Sequence, residues 1–242
     1  MRKFGLIGYP LSHSFSQKYF EEKFRQQKIT DCSYDLFPLK TIDSFPSLIK
    51  SHAGLSGLNV TIPYKESVLD FLHETDKTAQ EIGAVNCIHI KDGKLAGYNT
   101  DAIGFELSLK NFLSSIPQHA FVLGTGGSSK AVRFILHKMQ IPFSVISRSA
   151  KDGALTYQEI SGKMKASNLF INCTPAGMYP DIDLAPAIPY EELGTQDFLY
   201  DLVYNPAETL FLKKGKEKGA KTKNGLEMLE LQAEESWRIW NQ

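Results

Sequence analysis

The stretch Ala120-Phe121-Val122-Leu123-Gly124-Thr125-Gly126-Gly127-Ser128-Ser129-Lys130-Ala131 reads as a buried strand, a glycine turn and the start of a helix. Its apolar run is short and bounded by glycine, whereas Ala131, Val132, Phe134, Ile135, Leu136 and Met139 recur behind it at helical spacing. Strand, turn and helix in that order are how a protein holds a dinucleotide. Gly124 permits the tight turn and Gly126 lets backbone N–H groups approach a pyrophosphate. Gly127 and Ser128 then open a helix whose unpaired donors and positive potential suit an anion. The third position of the fingerprint is Ser129 rather than glycine. An ordinary strand-to-helix loop has a similar look, so the next strand decides the matter.

That strand, Phe143 to Ser147, ends in Ser147-Arg148-Ser149, with Ser147 placed 23 residues after Gly124. NAD-binding proteins usually carry an Asp or Glu near here, which accepts from the ribose 2′-hydroxyl and repels a 2′-phosphate. This chain has none. Arg148 offers a planar fork of donors to a phosphate, and Ser147 and Ser149 add hydroxyl contacts, so NADP is expected over NAD. Taken alone, Arg148 and Lys151 read better as solvated loop cations. Their distance from the glycine turn gives them the cofactor reading.

At 242 residues the chain has room for two modest domains or one large one. Lys plus Arg and Asp plus Glu number 27 each, so no net field favours nucleic acid or an anionic membrane. Small molecules are the expected partners. No apolar run approaches the roughly 20 residues of a bilayer span, and Met1-Arg2-Lys3 leads directly into Phe4-Gly5-Leu6-Ile7, so a cytoplasmic protein is expected. Cys32, Cys87 and Cys173 are odd in number, far apart and without a nearby His partner. Neither a disulfide frame nor a metal site is expected.

The chain opens with an apolar strand from Lys3 to Ile7, then a hydroxyl-rich turn holding Ser14 and Ser16, then a helix to about Gln27. Either serine fits as the N-cap, and two serines beside free helix donors also make a receptor for a carboxylate. A second strand (33–37), a second helix (42–51) and a third strand (57–61) follow, an alternation that implies a mainly parallel sheet. Asn59 and Thr61 are two apart and share a strand face at the carboxyl end, where ligands collect. Lys65 is expected in the first turn of a helix from Tyr64 to Leu72, where dipole and partial burial both work against an ammonium. Such a placement suits proton transfer. Asp92-Gly93 marks a hairpin between strands 87–90 and 95–98. Asp101 stands where the N-cap of the helix 103–112 belongs, and capping alone would account for it. Small residues around Thr174, after the strand 168–172, leave room for a flat ring. A strand carrying Asp201 leads through Tyr204 toward Gly225 and a last helix, from which Gln232 can project toward a site.

Taken together these motifs resemble the shikimate dehydrogenase family over nearly the whole chain. They run in order as Gly8-Tyr-Pro-Leu-Ser-His13-Ser14-Phe-Ser16, Asn59-Val-Thr61-Ile-Pro63-Tyr-Lys65, Gly83-Ala-Val-Asn86 and Asn99-Thr-Asp101. The cofactor loop with Arg148 comes next, then Asn172-Cys-Thr-Pro-Ala-Gly-Met178, Tyr200-Asp-Leu-Val-Tyr204-Asn-Pro206 and Asn224-Gly225-Leu-Glu-Met228-Leu229-Glu-Leu-Gln232. The resemblance implies NADPH-dependent reduction of 3-dehydroshikimate to shikimate, in the chorismate pathway to aromatic amino acids, with Lys65 and Asp101 as the catalytic pair. It implies that Ser14 and Ser16 bind the substrate carboxylate and that Asn59, Thr61, Asn86, Asp101 and Gln232 bind ring hydroxyls. Tyr204 and Gly225 match positions that line the site. Gly124, Gly126, Gly127, Ser128, Ser147, Arg148, Ser149, Thr174 and Gly225 are then the cofactor contacts. The implied fold is α/β: a substrate domain of 1–101 with 225–242, a Rossmann-like NADP domain of 102–224, and an active-site cleft between them.

Members of the family resemble monomers or homodimers. Gln17, Cys87 and Lys130 stand where proline, threonine and arginine are usual. Only 24 residues separate Ser147 from Asn172, which implies a nucleotide domain trimmed in its second half. Asp152, close to Arg148 and Lys151, thins the basic cluster. Two alternatives remain at this level: a quinate/shikimate dehydrogenase using NAD or both cofactors, and a nonenzymatic dinucleotide-binding sensor, which has no need of Lys65 and Asp101 together.

Overall fold

Alternating strand and helix signals produce β1 (Arg2–Gly8), α1 (Phe15–Gln26), β2 (Cys32–Pro38), α2 (Phe45–Ser51) and β3 (Leu55–Val60). These are followed by β4 (Glu74–Thr75), α3 (Lys77–Ile82), β5 (Cys87–Lys91), β6 (Lys94–Tyr98) and α4 (Thr100–Phe112). The computed structural model describes residues 1–11, 14–150 and 153–242. It has two compact units, the first comprising Met1–Ile103 and Gln232–Gln242, the second Gly104–Leu231. His13 of the opening motif, and Lys151 and Asp152 beside Arg148, lie outside the described residues. Among those described, no helix is long and apolar enough to cross a membrane.

The first sheet runs in the order β2-β1-β3-β5-β6-β4. β1 is parallel to β2 and β3, but β5 is antiparallel to both β3 and β6, so the expected mainly parallel sheet is a mixed one. The Asp92-Gly93 pair accounts for the β5/β6 hairpin. Both residues have positive φ, 52° and 75°, the mirror-image turn whose twist suits a two-residue hairpin. Side chains alternate across the sheet. Ile7, Leu58, Val60 and Ile88 enter a core with Phe45, Leu48 and Val68, while Phe4, Leu6, Tyr34 and Cys87 enter another with Phe20, Ala233 and Trp240. Asn59 lies between Leu58 and Val60, so it faces the second of these layers.

One element departs from expectation in a way that bears on function. Tyr64 to Leu72 is not an α-helix: a turn at Lys65 leads into a 3₁₀ helix of five residues, Ser67–Phe71, and Leu72 is already extended at ψ 148°. Closure alternates between Val68 N–H to the Tyr64 carbonyl (3.0 Å) and Leu69 N–H to the Glu66 carbonyl (3.1 Å). So short a run cannot propagate a helix beyond its nucleus. Lys65 therefore precedes the helical turn, and the expected dipole effect on it falls away.

The second unit contains β7 (His119–Leu123), α5 (Gly127–Lys138), β8 (Phe143–Ser147), β9 (Leu155–Thr156), β10 (Asn168–Asn172), β11 (Phe198–Asp201), α6 (Leu210–Glu217) and β12 (Lys221–Lys223). The final helix, α7 (Leu226–Trp240), begins here and ends in the first unit. All strand pairs are parallel, in the order β12-β11-β10-β7-β8-β9, a Rossmann-like arrangement. Ala120 to Leu123 and Leu169 to Ile171 are wholly buried, as strands of a parallel sheet covered on both faces must be. Between Ser147 and β10 the described residues form two-residue β9 and two single-turn 3₁₀ helices, Tyr157–Glu159 and Ser161–Lys163. β7 and β10 are neighbours although far apart in sequence, which makes their carboxyl ends the topological switch point where such sheets bind ligands.

Trp240 closes the α7 side of the first sheet. Its indole N–H donates to the Ile88 carbonyl at 3.0 Å, and its ring stacks on Phe4 at 4.8 Å. A Cβ on Gly57 would collide with that indole at Nε1 and Cδ1. Gly57→Ala is expected to destabilise the protein by about 2 kcal/mol through overpacking, read as a lower urea midpoint with an unchanged slope.

Candidate active site

The start of α4 settles what Asp101 is for in local structure. Asn99, not Asp101, caps the helix: its Oδ1 accepts from Ala102 N–H at 3.1 Å while its Nδ2 donates to the Ala84 carbonyl at 2.9 Å. This corrects the expectation that Asp101 is the cap, and it leaves the Asp101 carboxylate available. Oδ2 accepts from Lys65 Nζ at 2.6 Å and Oδ1 from Asn86 Nδ2 at 2.9 Å. The two charged side chains are only 13% and 11% exposed, so this ion pair is shielded from most of the screening that weakens surface pairs. Lys65 is anchored by its backbone, since Val85 N–H donates to its carbonyl at 2.7 Å, and by its neighbour Tyr64, whose hydroxyl reaches the Leu39 carbonyl at 2.5 Å.

Behind the pair lies a connected set of buried polar groups. Asn86 Oδ1 accepts from Thr100 N–H at 2.6 Å, and the Thr100 hydroxyl donates to Gln232 Oε1 at 3.3 Å and lies 3.2 Å from the Ser236 hydroxyl. Asn59 gives one amide proton to Ser236 Oγ (2.9 Å) and the other to the Asn86 carbonyl (3.3 Å), and its Oδ1 accepts from the Tyr34 hydroxyl at 2.8 Å. Asn59 is thus spent within the protein. Ser16 hydrogen-bonds the Tyr34 hydroxyl, whose proton burial holds well above the ordinary tyrosine range. Ser14 accepts from Gln17 N–H at 3.4 Å as the N-cap of α1, so the two serines divide capping and network between them. Thr61 is half-buried just beyond β3, its own N–H bonded to the Ile7 carbonyl at 2.9 Å. Ser14, Ser16, Asn59, Thr61, Lys65, Asn86, Asp101 and Gln232 all belong to the first unit.

Tyr34, Thr100 and Ser236 were missed in the sequence. Ser236 lies four residues after Gln232, one turn along the same helix face, which is the signal that was there to find. Tyr34 shares a strand face with Cys32 and Leu36, between the polar Ser33 and Asp35, and reads as core, which it also is.

In the second unit the expected cofactor residues lie at or just beyond the carboxyl ends of β7, β8, β10 and β12. Gly124 has φ +106°, and a Cβ there would sit 2.9 Å from the Thr174 methyl, so the turn requires glycine. Gly126 is the N-cap residue of α5, no side chain caps the helix, and nothing lies within 4 Å of where a Cβ on Gly126 would point. Gly127 and half-buried Ser128 form the first turn beyond it. The arrangement fits a pyrophosphate on the first-turn N–H groups. Ser129 is wholly buried, and its hydroxyl is the sole buried side-chain polar atom without a partner among the described residues.

Past β8, Ser147 is half-buried and Arg148 and Ser149 are exposed. The charge of Arg148 is felt by Tyr157, whose hydroxyl burial raises and the guanidinium lowers. Gly225 is a packing glycine: its N–H donates to the Val203 carbonyl at 3.2 Å, and a Cβ would run into the Leu202 backbone. Tyr204 is half-buried, which raises its hydroxyl above the ordinary range.

Asp201, at the end of β11, is fully buried. It accepts from Asn172 Nδ2 (2.9 Å), Val203 N–H (2.9 Å) and the Thr209 hydroxyl (2.6 Å). Burial outweighs these three bonds and raises its carboxyl from 3.8 to about 6.

A family model described as the shikimate dehydrogenase substrate binding domain matches residues 6–88. The chain is similar to a shikimate dehydrogenase (NADP(+)) of Clostridium beijerinckii, 40% identical over 255 residues, covering 100% of this chain and 93% of the relative. It is similar in structure to a shikimate 5-dehydrogenase of Thermus thermophilus solved with NADP(H) and shikimate, with a TM-score of 0.86, 31% identity, and 99% and 93% of the two chains covered. A 5-ketofructose reductase of Gluconobacter matches with a TM-score of 0.83 and 28% identity over 99% of this chain and 92% of its own.

The raised carboxyl of Asp201 has a stability consequence with a definite sign. Its neutral form is the one the fold favours, so its contribution is fully present below pH 3.8 and is lost as pH rises through about 6. Asp201→Asn is therefore expected to be more stable than the parent at pH 8, by up to about 3 kcal/mol, with the gain disappearing near pH 4. Urea denaturation at the two pH values measures it, and an equal gain at both would contradict the assignment.

Proposed function

The chain belongs to the shikimate dehydrogenase family, and we propose that it is an NADP-dependent oxidoreductase reducing 3-dehydroshikimate to shikimate in chorismate and aromatic amino-acid biosynthesis. The observation that carries the chemistry is the shielded 2.6 Å contact between Lys65 Nζ and Asp101 Oδ2. NADPH, when bound, supplies a hydride to the carbonyl carbon of the substrate. Lys65 meets the negative charge that grows on the carbonyl oxygen and hands it a proton. Asp101 holds the ammonium in one orientation, and Asn86 keeps the Asp101 carboxylate aimed at it.

Ser14 and Ser16 take the substrate carboxylate, Thr61, Asn86 and Gln232 take ring hydroxyls, and Tyr204 lines the ring. Asn59 acts by holding Tyr34, Ser236 and the Asn86 backbone in place. Substrate binding goes to residues 1–101 with 225–242 and cofactor binding to 102–224. Gly126, Gly127 and Ser128 hold the pyrophosphate, Ser147, Arg148 and Ser149 the 2′-phosphate, and Thr174 the ring end, with Gly124 and Gly225 shaping the turns beside them.

The 5-ketofructose reductase relative makes the ketone the variable to test. Loss of NADPH absorbance is expected on mixing the protein with 3-dehydroshikimate, and not with 3-dehydroquinate, with 5-ketofructose, or with NADH in place of NADPH. Lys65→Ala is expected to lower kcat by about 10³-fold while KM for 3-dehydroshikimate changes only a few-fold. A variant that keeps most of the parent rate would refute the role of Lys65. NADPH binding without turnover of any ketone would favour a dinucleotide-binding sensor.

A further inference from the structure

We propose that Asp201 is a positioning residue for the cofactor end of the reaction: its buried carboxylate, acting through Asn172, fixes loop 173–178 against the glycine turn at Gly124. This rests on the function proposed above. β7 and β10 lie side by side at the switch point, so the turn at Gly124 and loop 173–178 form adjoining edges of the ligand site. The two edges touch, with the Thr174 methyl and the Cys173 backbone within 3.4 Å of where a Gly124 Cβ would stand. Whatever sets Thr174 sets the surface offered to a flat ring.

Thr174 is set by Asn172. Asn172 Oδ1 accepts from both the Thr174 N–H (3.0 Å) and the Thr174 hydroxyl (2.6 Å), Asn172 Nδ2 donates to the Ala176 carbonyl (3.2 Å), and Ala176 N–H donates back to Thr174 Oγ1 (3.2 Å). All of this depends on which way the Asn172 amide is turned. An amide rotated by half a turn would present N–H₂ to the Thr174 N–H and lose the loop. An ionised carboxylate accepts and cannot donate, so Asp201 Oδ1, 2.9 Å from Asn172 Nδ2, permits only the productive orientation. Asp201 is pinned in turn by Val203 N–H and the Thr209 hydroxyl. No described cation pairs with it, and its titratable neighbours are the neutral Cys173 and Tyr190, both raised by burial first and by Asp201 second. A buried unpaired carboxylate opposes folding, so its place here is one of geometry rather than stability.

Asp201→Ala and Asn172→Ala are each expected to lower kcat by about 10²-fold, with KM for 3-dehydroshikimate within about threefold of the parent. The double variant should be no slower than either single, because both substitutions break one link. Asp201→Asn, whose amide oxygen still accepts from Asn172, should recover at least tenfold of the loss. A second readout does not need turnover: the emission enhancement of bound NADPH should fall in both alanine variants while the dissociation constant stays within about threefold, since the pyrophosphate site is untouched. A folded Asp201→Ala protein with parental kcat and emission overturns the proposal, as do additive losses in the double variant. Should Asp201→Ala fail to fold, Asn172→Ala decides alone, because it leaves Asp201 bonded to Val203 and Thr209. A parent protein that binds NADPH but reduces no ketone refutes the proposed function, and the emission arm then still decides this inference. A parent that binds no NADPH overturns both.

Discussion

The side-chain amide of Asn86 is the fixed point of the first unit. Its oxygen receives the Thr100 N–H at 2.6 Å, which seats the first turn of α4, and its nitrogen reaches the Asp101 carboxylate at 2.9 Å, which aims that carboxylate at Lys65. The Asn86 backbone does a third thing: its carbonyl receives Val60 N–H at 2.8 Å and so joins the end of β3 to the same point. An amide offers two donors and two acceptor sites in a fixed plane, so meeting these partners at once leaves it one orientation. Helix start, strand end and ion pair therefore cannot shift independently, and the geometry of Lys65 and Asp101 is a property of the fold rather than of two flexible side chains.

Much of this was legible in the chain itself, for identifiable reasons. The strand–glycine–helix stretch around Gly124, the Asp92-Gly93 hairpin and the buried runs of β7 and β10 are local signals, set by sterics and by period, and they appear where the sequence places them. What escaped was decided at longer range. Asp101 and Asn99 are equally good caps by residue type, and the choice of Asn99 follows from the Ala84 carbonyl, which takes the Asn99 amide from fifteen residues away in sequence. The run after Pro63 has helical composition, but it forms a 3₁₀ turn and leaves it extended at Leu72. Tyr34 joins the polar network only because β2 lies beside β1 and brings its hydroxyl to Asn59, a pairing no window of sequence contains.

The two units solve one problem with different materials. In the first, polar side chains satisfy each other, from half-buried Ser16 through buried Tyr34, Asn59 and Ser236 to Thr100, Asn86 and Asp101. In the second, the glycine turn relies on absence: Gly124 has no room for a Cβ beside Thr174, and Gly225 none beside Leu202. Side-chain networks suit a small polar ligand whose hydroxyls must be told apart, because a mismatched partner leaves buried groups unpaired. Bare backbone suits a phosphate, which is recognised by N–H groups that a side chain would only obstruct.

A buried polar network is a poor way to stabilise a protein, since apolar residues of the same volume would pack as well without the desolvation penalty. Its value lies in what happens when charge moves. Water around an exposed lysine must reorganise as a proton leaves it, whereas dipoles already fixed in place need not. The Lys65–Asp101 pair sits at one end of such a fixed set, with Asn86 held from three sides and Thr100, Ser236 and Gln232 packed behind it. In the reduction proposed above, this arrangement serves as preorganisation for proton transfer, and the Asn86 amide is where that preorganisation is enforced.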